Sequence, residues 1–139
     1  MISNRSMPPG VIIPELAYDD VAVAAAWLCQ AFGFRERLRI GDHRVQLVFG
    51  GASVVAMERR DGKPTNDADH AVMVHVADVD AHHAMARAAG ARIVHAPTDY
   101  PYGERQYDAV DIGGHRWKFS QSIADVHPAD WGGELVDIS

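Results

Sequence analysis

The chain has 139 residues, of which 47% are hydrophobic and 23% charged, with a formal net charge of −6. That length suits one domain, or two small half-domains sharing a core, and the composition argues against disorder beyond the ends. The acidic balance and the lack of a basic run disfavour nucleic acid as a partner, and no apolar run approaches the ~20 residues that cross a bilayer.

Residues 1–10, MISNRSMPPG, read as a polar tail without the apolar stretch of a secretory signal. An apolar strand follows and ends at Asp20, whose carboxylate suits a helix N-cap. The Ala-rich stretch behind it has high helix propensity, and Gly33 is placed to end that helix. Cys29 falls inside it and reads as a small buried hydrophobe. As the only cysteine it forms no intramolecular disulfide, so a cytoplasmic location is the default. Gly41-Asp42 and Gly50-Gly51 separate alternating runs and read as hairpin turns.

The polar segment 58–70 reads as a linker, and then the layout repeats. Asp78 matches Asp20, Gly90 matches Gly33, and Gly113-Gly114 matches Gly50-Gly51, at offsets of 58, 57 and 63 positions. The additional residues fall around PTDYPYGE, in a loop, where insertion costs little. The chain therefore divides into a tail (1–10), a strand–helix–strand–strand–strand module (11–57), the linker (58–70), a second such module (71–121) and a C-terminal tail (122–139).

Two βαβββ halves, together with the stretch YGERQYDAVDIGGHRWKFSQ, resemble the vicinal oxygen chelate superfamily of glyoxalases, ring-cleaving dioxygenases and bleomycin-resistance proteins. The likeness is to its glyoxalase-like or bleomycin-resistance-like bacterial subgroup. It implies an α+β fold, with the two modules forming a curved mixed eight-stranded sheet and the helices on its convex face. It also implies a homodimer and, in the enzymes, a divalent metal held on the concave face by His, Gln or Glu of the first and last strand of each module. Counting from Asp20, Asp78 and the Gly-Gly turns places those positions at Ile13, Val55, Ala71 and Lys118. Three lack a donor atom, and a lysine repels a divalent cation. No metal and no cofactor are therefore expected. A one-residue slip toward His70 or Glu58 would turn Val72, Val74 and Trp117 into the cavity.

Strand alternation then assigns the concave face. Ile13, Glu15, Ala17, Ser53, Val55 and Met57 come from the first module, and Ala71, Met73, His75, Arg116, Lys118 and Ser120 from the second. Ile12, Leu16, Val54, Ala56, Val72, Val74, Trp117 and Phe119 face the helices. Tyr102, Arg105 and Tyr107 are expected at the rim, with Arg105 as a clamp for an anion. The candidate ligand-binding set is Glu15, Met57, Met73, His75, Tyr102, Arg105, Tyr107, Arg116 and Lys118, a mixture of apolar and polar groups that suits a small molecule. Plainer roles stand beside it: Lys118 neutralising Glu15, Arg116 facing solvent, His75 as an interior histidine, and the tyrosines as packing. His82 and His83 read as surface residues and His115 as structural. The reading is a metal-free binder of a drug or metabolite, most suitably an anionic or aromatic one. The alternative is a glyoxalase-like enzyme, of lyase, isomerase or dioxygenase type, holding a metal through displaced ligands such as Glu15 and His75.

Overall fold

The computed structural model describes residues 2–66 and 69–136. Met1, residues 67–68 of the expected linker and residues 137–139 of the expected C-terminal tail lie outside the described residues. The first module contains β1 (Glu15–Tyr18), α1 (Val21–Phe32), β2 (Arg35–Ile40), β3 (Arg44–Phe49) and β4 (Ala52–Glu58). The second contains β5 (Val72–His75), α2 (Val79–Ala88), β6 (Arg92–Tyr100), β7 (Glu104–Val110) and β8 (Arg116–Ser122), and a 3-10 turn (Pro128–Trp131) follows.

Both helices start as the sequence predicts. The Asp20 carboxylate accepts from the Val23 N–H at 3.1 Å, and Asp78 accepts from Ala81 at 3.0 Å. Gly33 closes α1 in the left-handed conformation (φ 83°), donating to the Cys29 carbonyl. In α2 it is Ala89 that caps, and Gly90 follows one residue later. No helix among the described residues is long and apolar enough to cross a membrane.

The strands form two four-stranded mixed sheets, ordered β1-β4-β3-β2 and β5-β8-β7-β6. The expected eight-stranded surface is thus two sheets without a hydrogen-bonded ladder between them. In each, the strand that opens the module runs parallel to the one that ends it. Glu15 lies beside Val55, and Met73 beside Lys118.

The helix-facing sides of both sheets share one core. Leu16, Val54, Ala56, Trp117 and Phe119 are buried in it, with Val72 and Val74 packed against it, as alternation predicts. Ile12 is the exception at 84% exposure, because β1 begins only at Glu15 and the residues before it leave the sheet. Phe32, at the end of α1, joins the modules: its ring lies 4.8 Å from Phe119 and 5.3 Å from Trp117, centroid to centroid. Truncating such a fully buried ring costs about 3–5 kcal/mol. A second tie runs between the helices, where the Trp27 indole N–H donates to the Ala89 carbonyl at 2.9 Å.

Candidate functional site

One face of the stretch that carries the resemblance is scaffold. Asp111 is buried and accepts from the Tyr18 hydroxyl (2.6 Å), the Trp117 indole (2.9 Å) and the backbone N–H groups of Gly113 and His115. It thereby fixes the β7–β8 turn and fastens it to β1. Burial, followed by the Asp111 charge, pushes the Tyr18 hydroxyl far above its ordinary value, so it remains a donor. Gly113 lies against the Tyr18 ring, where a Cβ would come within 2.3 Å. His115 Nε2 lies 2.7 Å from the Ala17 carbonyl and so carries the proton, the structural role expected of it. Gly103 has φ 85°, and a Cβ there would meet the Ala124 carbonyl at 2.4 Å.

Alternate residues of the same strands face the other way, onto the concave side of the second sheet. Three of them, with Tyr102 of the preceding turn, form a directed chain of hydrogen bonds. The Tyr102 hydroxyl donates to Gln106 Oε1 (2.9 Å), Gln106 Nε2 to Ser120 Oγ (3.0 Å), and Ser120 Oγ to Glu104 Oε1 (2.6 Å). Burial raises the Glu104 carboxyl, but the Ser120 and Ser122 hydroxyls and the charge of His75 outweigh it, so the group sits below its ordinary value. One register row along, Asp108 accepts from Arg116 through Nε (3.1 Å) and Nη2 (2.8 Å), both on Oδ2. Lys118 stands opposite Asp108 and beside Met73, and its ammonium makes no hydrogen bond or ion pair with a described residue. At one end, Tyr102 stacks on Tyr100 (5.4 Å, 8°) and meets Trp131 edge-on at 5.4 Å. The result is a concave face, the second trough, with a buried polar floor (Gln106, Asp108 and Ser120), half-buried Arg116 and Lys118 toward one end and stacked aromatic rings at the other.

The matching face of the first sheet is covered. The chain's own N-terminal segment crosses it: Arg37 donates to the Arg5 carbonyl (2.7 Å), Gln46 to Ser6 (2.9 Å) and Ser53 to Pro9 (2.7 Å), and Pro8 is buried. Val55 is left only 4% exposed. Beyond this segment, Glu15 pairs with Arg44 at 3.0 Å, beside a hollow of about 470 Å³ that also touches Met57 and Arg59. An apolar hollow of similar volume, ≈ 470 Å³, lies along β5 between Phe49, Val54, Val72 and Val74 and reaches Met73 and His75.

The predicted residues thus divide. Met73, His75, Tyr102, Arg116 and Lys118 come together at the second trough, while Glu15 and Met57 belong to the first sheet. Glu15 is neutralised by Arg44, not by Lys118. Arg105 and Tyr107 do not reach the trough, because the odd-numbered positions of β7 face the helices. Arg105 is held by Asp80 (3.1 Å) and Asp99 (2.9 Å), which occupies the proposed clamp. Tyr107 is fully buried, with its hydroxyl on His82 Nδ1. His82 is likewise buried and not a surface residue. Its Nε2–H donates to the Phe32 carbonyl at 2.9 Å, and burial lowers its pKa despite that bond. Glu104, Gln106 and Asp108 were missed. Their signal was present in the alternation of ERQYDAV once Tyr107 and Ala109 are assigned to the core.

The residues do not fit the metal that the resemblance implies. The expected ligand places, Ile13, Val55, Ala71 and Lys118, hold three side chains without a donor atom and one cation, and the strand neighbours of Val55 and Lys118 are Glu15 and Met73. Among the described residues, no three His, Cys, Asp or Glu side chains are grouped to hold a metal ion. Glu15 is already paired, and it and His75 lie on different sheets.

Residues 11–119 match the family described as the Glyoxalase/Bleomycin resistance protein/Dioxygenase superfamily. TioX from Micromonospora sp. ML1 is 40% identical, with a TM-score of 0.67 over 80% of this chain and 97% of that one. TnmS3, an antibiotic binding protein from Streptomyces sp. CB03234, is 21% identical, with a TM-score of 0.65 over 79% of this chain and 93% of that one. A lactoylglutathione lyase from Agrobacterium tumefaciens is 16% identical, with a TM-score of 0.64 over 82% of this chain and 94% of that one. A comparison with curated proteins gives no match.

Proposed function

This chain belongs to the glyoxalase/bleomycin resistance protein/dioxygenase superfamily, and on that premise we propose that it is a metal-free binder of a small organic molecule, a drug or metabolite. The ligand occupies the concave face of the second sheet. The observation that carries this reading is the second trough itself. Its floor groups are already hydrogen-bonded to one another, so they hold their shape without a ligand, while the Lys118 side chain stands where a metal site would place a carboxylate. Preorganised polar groups beside apolar and aromatic walls suit a small-molecule site. The likeness in fold to an antibiotic binding protein supports the reading.

A homodimer completes the site. Met73 (60% exposed), beside Lys118, and Ile12 (84% exposed), which lines the same hollow as Met73, present apolar surface. A second copy laid over that surface would close the cavity and bury both. A cytoplasmic setting accords with the lone Cys29, whose thiol burial pushes up, away from the reactive thiolate.

Thermal unfolding across a panel of anionic metabolites and aromatic antibiotics tests the binding. Ligands that bind the folded chain raise its Tm, and a broad panel without a shift sinks the proposal. Stoichiometric zinc, nickel, manganese or iron in natively purified protein would instead support the metalloenzyme reading.

A further inference from the structure

Resting on that reading, we propose that the trough takes a small organic anion with an aromatic body, and that the Lys118 ammonium receives its charged oxygen. Two observations carry this: the balance of charges along the trough, and the distance between its two ends.

The charges decide the first part. Both Arg116 contacts end on Asp108, whose side chain is 8% exposed, so these two groups neutralise each other. Glu104 is held by serine hydroxyls at the opposite end of the floor. Lys118 remains, half-buried and without a hydrogen-bonding or ionic partner among the described residues. Its neighbour across β5 is Met73, which offers no acceptor comparable to a carboxylate. The cationic end thus carries one positive charge more than its local carboxylate cancels. A partly desolvated ammonium is stabilised by an oxyanion, and a neutral ligand would leave it unmatched.

The second part follows from register. The Tyr102 hydroxyl ends on Gln106, in the row next to that of Lys118 and Asp108. Rows on one face of a strand are two residues apart, about 7 Å at ~3.4 Å per residue. The hydroxyl is already engaged, so Tyr102 presents its ring, braced by Tyr100 and Trp131. A carboxylate, sulfonate or phosphate joined to one or two fused rings spans that separation within one molecule.

The test uses two fluorescent probes that differ chiefly in charge: 1-anilinonaphthalene-8-sulfonate and its uncharged counterpart N-phenyl-1-naphthylamine. Each is titrated into the wild-type protein and the Lys118→Met, Lys118→Arg and Tyr102→Ala variants. Loss of a charge-assisted contact should weaken the sulfonate at least about tenfold in Lys118→Met and leave the amine within about twofold. Lys118→Arg should retain the sulfonate, and Tyr102→Ala should weaken both probes. Unchanged sulfonate affinity in Lys118→Met, or equal loss of both probes there, overturns the anion assignment while leaving a binding trough in place. Unchanged affinities in Tyr102→Ala overturn the aromatic part. Wild-type protein that binds neither probe overturns the proposed function itself.

Discussion

Val55 in the first sheet and Lys118 in the second hold the same place in their modules, each beside the strand that opens its module. Val55 is buried on a face crossed by the chain's own N-terminal segment. Lys118 is half-buried, and its ammonium has no partner among the described residues. The repeat therefore accounts for the two sheets and their cores but not for the fate of their concave faces. That fate is set by the parts of the chain outside the repeat. Arg5 to Pro9 cover one face, and Trp131 of the C-terminal segment braces the aromatic end of the other. A duplicated fold thus acquires two differently furnished concave faces through its tails, without a change of topology.

The largest expected effect tests what the two halves share. Asp111 ties β1 of the first module to the β7–β8 turn of the second. Asp111→Ala leaves the Tyr18 hydroxyl and the Trp117 indole buried without their acceptor. Urea unfolding should show a loss of about 3–5 kcal/mol, since each orphaned buried group costs ~1–3 kcal/mol. Two separate unfolding transitions, in place of one weakened transition, would show that the modules are not one cooperative unit.

The contrast itself breaks most directly if residues 2–10 are removed. Three side-chain hydrogen bonds to carbonyls and the burial of Pro8 are lost, but so is the entropy cost of ordering the segment. The net loss should be about 1–2 kcal/mol. The uncovered face should then gain protease and hydrogen-exchange accessibility at Gln46 and Val55 while the second trough stays as it was. Unchanged protection at those two residues would show that the segment does not close the face.

The next effect is a pH dependence that belongs to the core between the modules. His82 is buried among Phe32, Tyr107 and Phe119, and its folded pKa lies below the ordinary 6.5. The unfolded chain therefore takes up the proton first. Stability is full above about pH 6.5 and falls as the pH drops below it toward the depressed folded value, by at most about 1.4 kcal/mol per pH unit. Comparing unfolding at pH 7 and pH 5.5 should show this slope, and His82→Gln should flatten it. A variant as pH-sensitive as the wild type would move the cause to another group.

Most of the scaffold was legible in the sequence. Asp20, Asp78 and the Gly-Gly pairs act over a few residues, so local chemistry reveals them, and alternation in RWKFS separates Trp117 and Phe119 from Lys118 without tertiary information. The misreadings share a physical cause. Tyr107 and Arg105 are expected at the rim, whereas β7 begins as early as Glu104, a boundary that only pairing with β8 fixes. His82 is polar and adjacent to His83, and nothing local reveals that Tyr107 and the Phe32 carbonyl, far along the chain, satisfy both its nitrogens. The N-terminal segment is polar and irregular, so only the tertiary structure shows that it fills a groove.

The smallest expected effect separates binding from folding. The Lys118 ammonium makes no described hydrogen bond or ion pair, and its stem lies beside Met73, so Lys118→Met keeps an unbranched apolar stem, one atom shorter, and removes the charge. Substitutions away from cores, caps and polar networks usually change stability by less than about 0.5 kcal/mol. Asp108 keeps its two contacts from Arg116 and is not orphaned by the change. The Tm of the variant should therefore match the wild type within a few degrees. A large loss would mean that Lys118 neutralises Asp108 within the folded chain, making the second trough as self-satisfied as the first. Equal stability with weakened anion binding would show that the two faces differ in purpose as well as in cover.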